Sequence, residues 1–293
     1  MILDVLGVVT PVFLIAGLGF IWARRALPFD NNTISTLVMF LGSPCLIYSS
    51  LTANAPDLAD LFRMAAAAVF VVAAAAVLGY IILKMLGWQI SSFLPSLIQP
   101  NGGNMGLPIC LLAFGDVGLA LGMAFFFVNS ISQYTLGLAI SSGQFQLRSL
   151  VQQPVVWAVI ITLTVLALDI QMPSWFNATT QLLGGLTIPA MLLMLGTSLA
   201  GLKVSSMTQT LTVSGLRLGL GVLLGVSAIW LFDLSGPIAG VVLLQSAMPS
   251  AVFNYVFAER FNREPDKVAG VILISTLLSV VTLPLMVAWA WQL

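Results

Sequence analysis

The hydrophobic positions of this chain fall into runs of about 20 residues, which short stretches of polar residues, glycine and proline separate. A run of this length is what a helix needs to cross the hydrocarbon core of a bilayer, about 30 Å thick. The pattern predicts an all-α integral membrane protein with ten transmembrane helices and no soluble domain. The predicted spans cover about 5–22, 33–52, 63–84, 93–114, 117–140, 151–169, 179–200, 208–232, 236–258 and 267–291.

The composition agrees with this pattern, since 59% of the residues are hydrophobic and only 7% are charged. Soluble domains carry about 25% charged residues. The deficit excludes an ordinary soluble enzyme, a disordered protein and a nucleic-acid binder, which would need a basic patch. The lipid bilayer is therefore the first predicted partner.

The lysines and arginines predict how the helices are oriented. Eight of the ten follow odd-numbered spans: Arg24, Arg25, Lys84, Arg148, Lys203, Arg260, Arg263 and Lys267. The opposite side holds only Arg63, and Arg217 lies within span 8. Because basic loops stay in the cytoplasm, we expect the odd loops inside and both termini outside. The expected location is a bacterial-type cytoplasmic (inner) membrane.

Similar residues recur along the chain at an offset of 143 to 146 positions. The matching residues are Pro11 and Pro154, Pro44 and Pro189, Gln99 and Gln245, and Asn129–Ser130 and Ser275–Thr276. They predict two five-helix halves, 1–142 and 151–293, with 143–150 as a short cytoplasmic connection. An odd number of helices per half inverts the second half, which is typical of transporters. Chance matching of common residues is the alternative.

Spans 4 and 9 contain residues that interrupt helices. Gln99–Pro108 holds two prolines, three glycines and two asparagines, and Gln245–Ala251 holds a proline. Broken helices at matching places in both halves predict a transport site; an ordinary proline kink is the alternative. The predicted helix breaks are Pro100, Pro108 and Pro249. The candidate substrate-binding residues are Gln99, Asn101, Gly102, Gly103, Asn104, Asn129, Arg217, Gln245, Ser246, Pro249, Ser250 and Asn254.

The broken helices alone leave the sign of the substrate's charge open. Each leaves a half-helix N-terminus within the membrane, whose free N–H groups attract an anion, and a half-helix C-terminus, whose free carbonyls attract a cation. Arg217 lies near the predicted centre of span 8, far from any acidic residue that could pair with it. Either a substrate carboxylate or the carbonyl ends of the broken helices must therefore satisfy Arg217, and both roles remain open.

Other chemistry lacks the residues it needs. The chain has no His, two Cys without metal-ligand spacing, no phosphate-binding GxxxxGK[ST] motif and no nucleophile elbow. We expect no catalytic activity, no metal and no cofactor. Whether sodium or a proton couples transport remains open, as does a homodimer.

The two interrupted segments, Pro100–Pro108 and Met248–Ala258, resemble the crossover of the auxin efflux carrier family, and Arg217 fits as well. The resemblance covers the whole chain. It implies ten spans in an inverted five-plus-five arrangement, similar to sodium/bile-acid symporters and sodium/proton antiporters. Bacterial relatives are associated with malonate and other small carboxylates. The long central loop of the plant carriers is absent, and Gly102–Gly103 departs from the sequence of their crossover. The resemblance therefore does not imply indole-acetate as the substrate.

We therefore expect a secondary transporter that moves a small organic anion, a mono- or dicarboxylate, by alternating access. A non-transporting sensor built on a carrier fold is one alternative. An ion-coupled cation exchanger is another, and the missing mid-membrane carboxylates disfavour it.

Overall fold

The computed structural model describes residues 2–53, 57–145 and 147–293. In these ranges the regular secondary structure is helical, apart from one isolated antiparallel bridge between Pro100 and Ser250. Seven helical stretches are long and apolar enough to cross a membrane. The prediction of an all-α membrane protein is therefore confirmed.

The helices follow one another along the chain, and three short π-helical turns interrupt them. Their bounds are α1 Ile2–Arg24, α2 Asn31–Leu37, a π turn Val38–Gly42, α3 Ser43–Ala53, α4 Leu58–Leu86, α5 Ile90–Ile98, a π turn Gly102–Gly106, α6 Leu107–Ser132, a π turn Gln133–Gly137, α7 Leu138–Ser142, α8 Leu147–Val151, α9 Pro154–Ala167, α10 Ser174–Gly201, α11 Met207–Leu231, α12 Gly236–Ser246, α13 Phe253–Arg260 and α14 Pro265–Ala290.

Predicted spans 4 and 9 are each divided into two helices. In span 4, α5 ends at Ile98 and the π turn starts at Gly102; in span 9, α12 ends at Ser246 and α13 starts at Phe253. Pro100 and Pro249 lie in the gaps. Pro108 instead lies in continuous helix, at the start of α6 and directly after the π turn Gly102–Gly106. The predicted helix break at Pro108 is therefore not observed; the π turn before it changes the backbone pairing from i−4 to i−5, which accommodates the missing N–H.

Two other helix boundaries coincide with residues whose backbone has a positive φ angle. Helix α6 turns sharply at Gly115, with φ 64° and ψ −153°, a conformation essentially restricted to glycine. This turn lies between predicted spans 4 and 5. Predicted span 6 starts at the last residue of α8 and is otherwise helical only over the 14 residues of α9, which begins at Pro154 and is followed by Asp169 at φ 48°.

The helices pack in two groups. One contains α1, α2, α3, α9 and α10, and the other contains α4 to α7 and α11 to α14. Glycines bring α1 and α10 very close: an added Cβ at Gly196 would lie 1.8 Å from the carbonyl oxygen of Ala16. The π turn Gly102–Gly106 contacts α10, so the interrupted helices lie where the two groups meet.

Candidate functional site

The two helix interruptions pair with each other through their backbones. The N–H of Asn101 donates to the carbonyl of Pro249 at 2.7 Å, and the N–H of Ala251 donates to the carbonyl of Gln99 at 3.0 Å. In a membrane, polar groups released by a broken helix must be satisfied within the protein. The two crossing segments, 99–101 and 249–251, satisfy these polar groups by forming two antiparallel backbone hydrogen bonds with each other, which we call the ladder.

Arg217 lies beside the crossing, near the middle of α11, with only 1% of its surface exposed. Its Nη1 donates to the carbonyl of Leu97 at 2.5 Å, its Nε donates to that of Met248 at 3.2 Å, and its Nη2 donates to that of Ser246. Leu97 and Ser246 lie at the C-terminal ends of α5 and α12, and Met248 lies just beyond the end of α12. The structure thus shows the carbonyl contacts that were one of the two roles predicted for Arg217.

Several predicted site residues hold the crossing together. Asn129 donates from Nδ2 to the carbonyl of Pro100 at 3.2 Å. Gln99 is fully buried; the amide orientation that satisfies both of its ends donates to Oδ1 of Asn129 at 2.6 Å and accepts from Ser132 at 2.9 Å. Their side chains therefore fix the first interruption.

The second interruption has its own supports. Asn254 donates from Nδ2 to Oγ of Ser250 at 3.0 Å, and the N–H of Ser250 donates to Oγ of Ser275 at 3.2 Å. All three residues are buried. The hydroxyl and amide groups thus stabilise the non-helical backbone that follows α12.

The Gln245 side chain is buried and packs against two glycines of the first interruption. Added Cβ atoms at Gly102 and Gly106 would lie 2.6 Å and 2.4 Å from its Oε1. That oxygen has no hydrogen-bond partner among the described residues, as is also true of Oγ of its neighbour Ser246. A Cβ at either glycine would force the end of the Gln245 side chain to shift, which is consistent with glycine at these two positions of the first interruption.

A cavity of about 270 Å³ reaches the crossing. Of the predicted site residues, it is lined by Pro100, Asn101, Gly103, Asn104 and Asn129. The remaining ones do not line it: Gln99, Gly102, Pro108, Arg217, Gln245, Ser246, Pro249, Ser250 and Asn254. The structure therefore separates residues that face the cavity from residues that support the crossing behind it.

The cavity also has polar lining residues that were not among the predicted site residues. They are Asn31, Asn32, Ser35, Ser43, Ser130, Gln133, Tyr134, Gln153 and Ser198. Asn31 and Asn32 start α2 directly after the capping residue Asp30, so in the sequence they look like loop residues. Only the asparagine pair at a span end could have indicated them.

The electrostatics of the cavity come from dipoles rather than from formal charges, since none of its described lining residues is acidic or basic. Gly103 and Asn104, in the first turn after one interruption, and Val252 and Phe253, at the start of α13, line it. Helix N-termini carry free N–H groups and a partial positive charge. The matching C-termini face Arg217, so the cavity side of the crossing favours negative charge.

Asn101 stands out among the lining residues. It is 4% exposed, and its Nδ2 has no hydrogen-bond partner in the described part of the chain. A buried donor without a partner costs about 1–3 kcal/mol. An acceptor on a bound molecule would remove this cost.

The cavity extends from the crossing toward one end of the helix bundle. There it is lined by Asn31, Gln153 and Ser198, which lie near the loops that carry most of the basic residues. A second cavity of about 280 Å³, lined by polar residues including Tyr48, Asp169 and Asn177 but by none from the crossing, lies at the other end.

The chain is similar to known membrane transporters. The profile of the family described as membrane transport protein matches residues 4–146 and 139–287. A transporter of Methanothermobacter thermautotrophicus, described as uncharacterized, is 27% identical over 271 residues, which cover 87% of this chain and 88% of that protein.

Proposed function

Because this chain belongs to the auxin efflux carrier family of membrane transport proteins, we propose that it is a secondary transporter of a small organic anion. The family confirms the predicted resemblance and the prediction of a multi-pass membrane transporter. A transport family implies that the protein is not an enzyme. The substrate class and the alternating-access mechanism are our proposal.

The architecture that fits this function has ten spans in two inverted halves, 1–142 and 151–293. The connection 143–150 contains Gln146, which lies outside the described residues. The paired interruptions near Pro100 and Pro249 support this arrangement, because each half contributes one broken helix to the same crossing. With the basic loops in the cytoplasm, both termini are outside and the cavity at the crossing extends inward.

The observation that best supports an anionic substrate is the amide donor of Asn101, which has no partner among the described residues and lies in a cavity bordered by two half-helix N-termini. A carboxylate oxygen would accept from this donor and from the first N–H groups after each interruption. Asn104 and Asn129, which also line the cavity, add further amide groups. Arg217 contributes indirectly, because it compensates the negative helix ends behind the crossing.

The neutral lining also favours one kind of carboxylate. Val252, Phe253 and other apolar residues share the wall with the amides. A monocarboxylate with a small apolar body would match both parts. A second carboxylate group would meet no basic side chain among the described lining residues, so we rank malonate and other dicarboxylates below monocarboxylates. The same lining, without acidic residues, disfavours a cation exchanger.

The test is ligand binding by the purified protein. We expect small monocarboxylates to raise its melting temperature, and Asn101→Ala to bind about 10- to 100-fold more weakly, which corresponds to about 1.5–3 kcal/mol. Gln292→Ala, which truncates an exposed amide outside the cavity, should bind normally. Uptake of the same ligand into proteoliposomes separates a transporter from a sensor. No response to any carboxylate, or normal binding by Asn101→Ala, would contradict the proposal.

A further inference from the structure

The guanidinium of Arg217 joins the two broken helices at one point. Its three contacts reach the carbonyl of Leu97 near the end of α5 and those of Ser246 and Met248 at and just beyond the end of α12. Each contact is to backbone, and no carboxylate of the described residues is among its partners. Arg217 therefore binds carbonyl oxygens as a free cation would.

The charges balance at this point. Each helix C-terminus carries about −0.5 of an elementary charge from its aligned peptide dipoles, so two such ends present roughly one negative charge. One guanidinium compensates them. Burying an unpaired Arg within a membrane is costly, and this compensation explains how Arg217 can be almost completely buried.

The surrounding structure is built to admit the guanidinium. Gly221 lies one helical turn after Arg217 in α11. A Cβ at this position would lie 2.1 Å from the carbonyl oxygen of Ser246 and 3.0 Å from Nη2 of Arg217. The glycine thus lets α11 approach the end of α12 closely enough for the side chain to reach across to α5.

In membrane transporters, half-helix C-termini and unwound backbone carbonyls commonly coordinate a coupling cation. We propose that Arg217 is a tethered cation that occupies such a carbonyl site at the crossing, so that no dissociable metal ion is needed there. The consequence for coupling rests on the proposed transport function, whereas the cation site itself does not. Removing the side chain while leaving its space empty should create a site for a small free cation.

The experiment compares two variants that lose the same three hydrogen bonds. Arg217→Ala leaves a void beside the carbonyls, and Arg217→Met fills much of it. The full-length proteins are solubilised and purified in the chloride of guanidinium, sodium, potassium or N-methylglucamine, and their thermal unfolding is followed by tryptophan fluorescence. Leu218→Ala, which truncates an adjacent buried side chain, controls for a nonspecific response to packing loss.

We expect millimolar guanidinium to raise the melting temperature of Arg217→Ala saturably toward the wild-type value, with smaller rises in sodium or potassium than in guanidinium and none in N-methylglucamine. Arg217→Met and Leu218→Ala should not respond. An equal response of Arg217→Ala and Arg217→Met, or no response of either, would overturn the proposal.

Two further arms keep the test decisive if Arg217→Ala does not fold. Arg217→Lys keeps a tethered charge and should be more stable than Arg217→Met; equal instability of the two would refute a cationic role. Wild-type protein should show no sodium-specific rise in melting temperature that depends on Arg217, and a rise in sodium over N-methylglucamine that the wild type shows and Arg217→Met loses would also refute it. No carboxylate is present in these measurements, so their failure is distinct from a failure of the proposed transport function.

Discussion

Replacing Gly196 with alanine should force α10 away from α1. The added Cβ would lie 1.8 Å from the carbonyl oxygen of Ala16 and 2.6 Å from the backbone nitrogen of Phe20. Both are backbone atoms, so no side-chain rotation can relieve the contact. The two helices would have to separate by on the order of 1 Å, and such overpacking costs about 1–3 kcal/mol or somewhat more.

The displacement should also reach the cavity, because Met194 and Ser198 lie two positions on either side of Gly196 and line it. We therefore expect a lower melting temperature and weaker carboxylate binding in the same variant. Thermal unfolding followed by tryptophan fluorescence measures the first effect, and the shift of that transition with added ligand measures the second.

Gly185 provides a matched control in the same helix. A Cβ there would meet no atom within 4 Å, so Gly185→Ala should be neutral or stabilising by roughly 0.5–1 kcal/mol, since alanine loses less backbone freedom in a helix. The reasoning is refuted if Gly196→Ala melts at or above the wild-type temperature, or if Gly185→Ala loses as much stability.

Three other changes test separate features of the structure. Gly221→Ala should lower the melting temperature clearly, because its Cβ would lie 2.1 Å from the carbonyl oxygen of Ser246; an unchanged value would mean that α11 can shift freely. Gln245→Met should leave the melting temperature unchanged or raise it, since removal of a buried oxygen without a partner offsets the loss of the 3.4 Å hydrogen bond from Nε2 to the carbonyl of Gly122, and a clear fall would show that this hydrogen bond outweighs the unpartnered oxygen. In a cysteine-free background, a cysteine at Arg148 should react with an impermeant reagent only from the cytoplasmic side, and one at Asp57 only from outside; reaction of both from one side would disprove the predicted orientation.

The sequence was informative wherever the physical cause is local. Proline and glycine disrupt a helix through their own backbones, so the interruptions near Pro100 and Pro249 could be predicted from neighbouring residues alone. The burial of Arg217 followed in the same way from the apolar residues around it. The general fold class needed only the length of the apolar runs.

The partners of the polar side chains could not be predicted, because they depend on how each helix is rotated against the others. Asn101 ends the first interruption and Asn254 follows the second, yet one lines the cavity and the other donates to Ser250. Arg217 had two possible partners, and only the packing of α11 against α12 brings the carbonyls within reach. Pro108 shows the same limit, because the helix continues through it from the preceding π turn.

The ladder between 99–101 and 249–251 has a consequence for the synthesis of this protein. About 150 residues separate its two strands along the chain, which at 5–20 residues per second take roughly 8 to 30 s to translate. Throughout that time the first interruption lacks its ladder partner, and until residue 217 is made it also lacks the guanidinium of Arg217, while each unsatisfied backbone group in lipid costs several kcal/mol. The nascent first half must therefore be kept away from lipid, by the insertion machinery or by a water-filled channel, until the segment around Pro249 arrives.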